Sequence, residues 1–207
     1  MFNRQHVVLC IVMSCSAPIR AQTVSLVPGE RPAWDAAATI GWFSGNKSEL
    51  AEEWNDWYDA FAASAHIGRY FTPHLKTEAG ATVTTDGIVY SQVAVPARTQ
   101  PFPVFIPREH RFRLNALDVA AAYQFFDNQW VHPFVHAGVQ LGWERERARA
   151  PLVGGRDAMT FDVRPFAGAG AKFYVNERGF LRTDLTVGWR SGGVAQVSWR
   201  TGMGVDF

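Results

Sequence analysis

The stretch Ala195-Gln196-Val197-Ser198-Trp199-Arg200-Thr201-Gly202-Met203-Gly204-Val205-Asp206-Phe207 decides the fold. Ala195, Val197, Trp199, Thr201, Met203, Val205 and Phe207 take every second position, with Gln196, Ser198, Arg200, Gly202, Gly204 and Asp206 between them. Successive side chains of a strand point to opposite faces. Alternation sustained over this length therefore predicts a strand with one apolar and one polar face.

The same parity runs back through the chain. Leu181 to Trp189 alternates with Arg182, Asp184, Thr186, Gly188 and Arg190. Phe161 to Phe173 alternates with Asp162, Arg164, Phe166, Gly168, Gly170 and Lys172, and Val131 to Trp143 with His132, Phe134, His136, Gly138, Gln140, Gly142 and Glu144. Leu117, Val119, Ala121, Tyr123 and Phe125 share a face. Phe112 and Leu114 are out of step with them, which predicts a bulge near Ala116. Leu75 to Asp86, Trp54 to Phe71 and Trp34 to Phe43 complete eight strands. Thr72-Pro73-His74, Asp127-Asn128-Gln129 and Asn176-Glu177-Arg178-Gly179 read as tight turns. Ser44 to Glu53, Gly87 to Glu109, Ala148 to Ala158 and Ser191 to Val194 read as longer links. Gly87 to Pro107, with Pro96, Pro101, Pro103 and Pro107, is the most irregular. An even strand number, with short turns at one rim and long loops at the other, fits a membrane barrel. The expected fold is all-β: an eight-stranded antiparallel up-and-down transmembrane β-barrel over residues 33–207.

Composition agrees. Of 207 residues, 14% are aromatic and 19% charged, too aromatic for a disordered chain. A net charge of +1 gives no reason to expect nucleic acid as a partner. No apolar run after residue 20 is long enough for a membrane-spanning helix. Residues 1–21 read as a secretory signal peptide, with Arg4 and His6 before an apolar core from Val7 to Cys15 and cleavage after Ala21. A lipoprotein acylated at Cys15 and a buried N-terminal strand are the alternatives. Residues 22–32 read as a short linker. Both cysteines, Cys10 and Cys15, fall in the leader. Losing Arg4 and Arg20 leaves 18 basic against 19 acidic residues, a mature charge of −1.

The polar face carries Lys76, Glu78, Asp118, Glu144, Asp162, Arg164, Lys172, Arg182, Asp184 and Arg200, five bases and five acids. These are expected to form a charge network in the lumen. Glycines share that face and would give room to long side chains inside a narrow barrel. Aromatic residues mark two belts on the apolar face. One comprises Trp42, Phe112, Trp143, Phe161, Trp189 and Trp199, the other Tyr123, Phe125, Trp130, Phe173, Phe180 and Phe207. The spacing from Trp199 to Phe207 gives roughly 20 Å along the membrane normal and that from Phe161 to Phe173 roughly 30 Å, which bracket a hydrocarbon band of about 25 Å.

With a terminal strand ending in Phe207 and segments such as Arg164-Pro165-Phe166-Ala167-Gly168-Ala169-Gly170, the chain from Trp34 to Phe207 resembles the small outer-membrane β-barrel proteins. That group includes the transmembrane domain of outer-membrane protein A. The resemblance implies outer-membrane localisation and contact with lipid and lipopolysaccharide. It also implies that the barrel-assembly machinery reads Phe207 as an assembly signal.

No catalytic residue, cofactor site or metal site is expected. His132 and His136 share a strand face about 13 Å apart, too far for one ion. No histidine is followed by serine two residues on, and Ser64 and His66 stand in the reverse order. Gly168 to Lys172 is too short for a phosphate loop. The run Glu144 to Arg149 reads as a solvated rim near lipopolysaccharide phosphates. The leading expectation is a structural or surface-interacting protein that is not an enzyme, with a plugged lumen and recognition of any surface ligand by loops. The alternatives are an envelope lipid-modifying enzyme or hydrophobic-ligand carrier, and a soluble periplasmic lipocalin-like barrel.

Overall fold

In the computed structural model, residues 33–47, 57–95, 103–126, 130–150 and 154–207 are described. The leader, the linker and the Asp127 turn lie outside them. The strands are β1 (Trp34–Asn46), β2 (Trp57–Tyr70), β3 (Leu75–Thr84), β4 (Gly87–Val95), β5 (Val104–Gln124), β6 (Val131–Ala150), β7 (Gly154–Tyr174), β8 (Gly179–Arg190) and β9 (Gly193–Asp206). Neighbours pair antiparallel in the order β3-β2-β1-β9-β8-β7-β6-β5-β4, and β3 also pairs with β5. That last pairing closes a ring of eight, with β4 outside it. The seam joins β1 to β9, where Trp34 N donates to Phe207 O at 2.9 Å and Phe207 N to Trp34 O at 2.8 Å.

Parity sorts the side chains. Trp42, Phe161, Trp189 and Trp199 are exposed toward one rim, and Tyr123, Phe125, Trp130, Phe173 and Phe207 toward the other. Ile40, Val119, Val139, Val163, Leu185 and Met203 are exposed between them. Lys76, Glu78, Asp118, Arg164, Lys172, Arg182, Asp184 and Arg200 are buried inside. A lipocalin-like barrel would need the reverse arrangement.

Four local expectations are corrected. Phe112 and Phe180 are not in the belts; each is 1% exposed and points inward. The reason is parity: Phe112, Leu114, Ala116 and Ala120 all lie on the inner face of β5, in an unbroken register from Glu109↔Arg149 to Gln124↔Phe134. No bulge therefore occurs at Ala116. The irregularity lies in the β8–β9 pairing, which shifts from Gly188↔Gln196 to Trp189↔Val194 and turns Ala195 inward. The flanks of the proline-rich segment are paired strands: β4 continues beyond β3 and pairs with the start of β5 from Gly87↔Phe112 to Val95↔Val104, residues 96–102 lying outside the described ones. Ser191 to Val194 is not a long link, because Ser191 and Gly192 alone join β8 to β9. The outer ends of β4 to β7 thus rise above the rest as a sheet extension, since β7 pairs with β8 only from Phe166 onward.

Two glycines admit inner rings. A Cβ on Gly168 would strike His136 Nε2 and the Leu185 carbonyl, and one on Gly204 would strike the Phe180 ring. Gly168→Val should therefore cost about 1–3 kcal/mol, read as a lower urea midpoint in lipid vesicles. Gly192→Ala, with nothing within 4 Å of the added carbon, should leave the midpoint nearly unchanged.

Candidate functional site

The lumen charges lie in layers along the barrel axis. At the end near the termini, Lys172 Nζ donates to Asp35, to Tyr70 Oη at 2.8 Å and to Asp206 at 3.4 Å. Lys76 Nζ reaches Asp35 at 2.5 Å and Glu78 at 2.7 Å. Gln124 donates to Tyr70 Oη at 3.0 Å, and Tyr174 Oη donates to Asp206 at 2.5 Å. Asp35 is thus shared by two ammonium groups, which suits a buried carboxylate with several lone pairs to fill.

Glu78 joins this layer to the next. Arg182 spans Glu78 at 2.7 Å and Asp184 at 3.0 Å, and Arg200 holds Asp184 at 2.7 Å. Thr186 Oγ1 lies 3.2 Å from His136 Nε2. Asp118 differs: it has no ion pair with another described residue and borders a small cavity with His66, Glu78, Gln140 and Arg200. That cavity has room for little more than a single water. Higher up, Arg164 bonds Asp162 at 2.7 Å, Gln196 at 3.0 Å and Glu144 at 3.5 Å. Lys47 pairs with Glu144 and Arg190 with Asp162. Phe43, Tyr58 and Phe112 cover this layer, with Tyr58 stacked on Phe112 at 5.2 Å.

All ten of the residues read from sequence line or border this interior. Asp35 and Asp206 join the acids, and Lys47 and Arg190 join the bases. Asp35 was legible in principle, since Trp34 and Trp42 set the outward parity of β1. Arg190 already stood on the polar face by parity, whereas Lys47 lies one residue past the end of β1, where parity gives no guidance. Ser64 and His66 are not brought together: Ser64 Oγ bonds Thr82 at 2.9 Å and His66 faces Glu78 at 3.4 Å. His132 packs on Tyr174 at 4.9 Å, apart from His136. Gly168 to Lys172 is strand.

A second polar cluster sits in the extension. Ser91 Oγ of β4 lies 2.8 Å from His110 Nε2 of β5, and His110 Nδ1 lies 2.8 Å from Glu146 Oε1 of β6. On the outer surface of the same strands, Arg111 stands opposite Arg147 and Arg113 opposite Arg145. Glu109, Asp86 and Asp157 pair with Arg111, Arg113 and Arg145.

Neither a protein-family model nor a curated protein sequence matches the chain. Solved structures do. Neisserial surface protein A (NspA) superposes with a TM-score of 0.61 at 14% identity, over 86% of this chain and 100% of that one. The N-terminal β-barrel domain of Pseudomonas aeruginosa OprF gives 0.54 at 16% identity over the same shares. Ail, the attachment invasion locus protein of Yersinia pestis, gives 0.52 at 11%, again over 86% and 100%. The chain has the fold of the small outer-membrane β-barrel proteins.

Asp35→Asn should cost about 3–5 kcal/mol, because it leaves the buried Lys76 and Lys172 short of their shared counter-ion. Asp118→Asn should be close to neutral. Urea unfolding of both variants in vesicles checks the contrast.

Proposed function

We propose that the chain is an integral outer-membrane protein with a structural and surface-interacting role, its lumen plugged and its recognition carried on the extracellular extension. The inverted polarity supports this most directly: apolar side chains face outward while Lys76, Lys172, Arg182 and Asp184 are almost wholly buried inside. An eight-stranded barrel is only wide enough for side chains to fill. Here successive ion-pair layers and an aromatic cap of described residues occupy that width, which supports a plugged lumen over an apolar ligand chamber or a channel.

Partners follow from the rim and the terminus. The Arg111, Arg113, Arg145 and Arg147 group begins two residues beyond Trp143 of the outer belt. Like charges directly opposite one another across a strand pair are destabilising, and the acids beside them relieve this only in part. Phosphates of lipopolysaccharide at headgroup level would complete the neutralisation. Phe207, exposed at the end of the seam strand, is the signal for the barrel-assembly machinery. Any soluble surface ligand would meet the β4–β5 pair first.

Fractionation tests the location. The protein should enter the outer-membrane fraction and show a heat-dependent gel shift, and its recovery from the soluble periplasm without detergent would overturn the reading. Planar-bilayer recordings should show no steady large conductance. Diphosphorylated lipid A should raise the thermal midpoint of the detergent-solubilised protein. Arg111→Gln with Arg147→Gln should weaken that binding roughly thirtyfold, at about 1 kcal/mol for each charge.

A further inference from the structure

Ser91, His110 and Glu146 stand apart from the lumen ion-pair layers and in the geometry of a hydrolytic triad. They come from three adjacent strands and face the barrel axis. Glu146 accepts from His110 Nδ1–H, so Nε2 offers its lone pair to the Ser91 hydroxyl, each contact being 2.8 Å. This is the order nucleophile, base, orienting carboxylate. The imidazole is further held by parallel stacking on Phe112, with centroids 6.2 Å apart and planes at 4°.

A fourth group completes the set. Arg108 is directly opposite Ser91 in the β4–β5 register, so the two project to one side, about 5 Å apart at Cβ. Arg108 Nε is buried and has no hydrogen-bond partner among the described residues. A buried donor left unpaired is costly. Beside a serine nucleophile, it is placed to receive a developing oxyanion.

We propose that Ser91, His110, Glu146 and Arg108 form an esterase site at the barrel mouth, acting on carboxylic esters of short, water-borne acids. Its level supports the substrate class. Glu146 lies three residues beyond Trp143, and His110 pairs with Ala148, five residues beyond. At strand rise and tilt, that puts the site roughly 8–13 Å above the aromatic belt, on the water side. The site also faces the axis, away from lipid, so an acyl chain in hydrocarbon cannot present its ester there.

Ser91 Oγ bonds to the carbonyl carbon while its proton passes to His110 Nε2, and Arg108 donates to the oxygen as it becomes an oxyanion. The bond to the leaving alkoxide then breaks, and that oxygen takes the proton from Nε2 and departs as an alcohol. Water attacks the acyl-serine and gives a proton to His110. The carbon–Oγ bond breaks, Ser91 regains the proton, and a carboxylic acid leaves. Ester and water thus become acid and alcohol, with no other reactant. Ser91, His110 and Arg108 are the catalytic residues, and Glu146 is a positioning residue. This activity is additional to the lipid-anion role and does not depend on it.

The test uses the full-length protein folded in detergent micelles, with folding read by the heat-dependent gel shift. A fluorophosphonate probe should modify Ser91, located by peptide mass. p-Nitrophenyl butyrate should be hydrolysed faster than p-nitrophenyl palmitate in mixed micelles. Ser91→Ala should lose about a thousandfold or more of the butyrate activity. Glu146→Gln should lower kcat with KM unchanged, which a purely structural role would not do. Folded protein unlabelled at Ser91, or Ser91→Ala as active as the parent, would overturn the site. Faster palmitate hydrolysis would overturn the substrate class. Labelling of the unsubstituted protein decides the matter even if Ser91→Ala does not fold.

Discussion

The reciprocal hydrogen bonds between Trp34 and Phe207 end the seam that makes an inside possible. Backbone polar groups in hydrocarbon must be paired within the protein, and an open sheet would leave two edges unpaired. Pairing β1 with β9 removes both. Once the ring is closed, every odd or even position is committed to lipid or to lumen, and a slip of one residue would exchange the two sets. The register from Asp35↔Asp206 to Gly45↔Gln196 therefore governs where each charge goes.

Closure also creates an electrostatic demand. Charges turned into a narrow lumen lose water and must find one another. Asp35 under two lysines, and Glu78 between Lys76 and Arg182, answer that demand across strands far apart in sequence. Rings contribute as well: Lys172 lies 4.0 Å over Phe180 and Lys47 lies 4.8 Å over Phe112, close enough for cation–π attraction.

These contacts explain what the sequence made legible. Parity in Ala195 to Phe207 and Val131 to Trp143 revealed the strands and the faces of the charges, because alternation is local. The partners of those charges were not legible, since pairing depends on register between strands. Residue type places Phe112 and Phe180 in the lipid-facing belts, although unbroken parity turns both inward. Prolines hide the β4–β5 pairing. Pro107 lacks an N–H, yet it keeps its place opposite Gln92 in the β4–β5 pairing. The cluster of Ser91, His110 and Glu146 has no signature along the chain, because its members meet only across three strands.

The unequal strand lengths give the barrel a front and a back. β5, β6 and β7 run 20 or 21 residues, while β8 and β9 run 12 and 14 and turn through only Ser191 and Gly192. Among the described residues, the outer rim is a half-height parapet. The tall wall screens one side of the mouth, and among those residues no such wall stands on the side of β8 and β9. A solute on that low side faces the inner surface of the wall, so a cylinder that is nearly uniform within the bilayer acquires a single direction of approach above it.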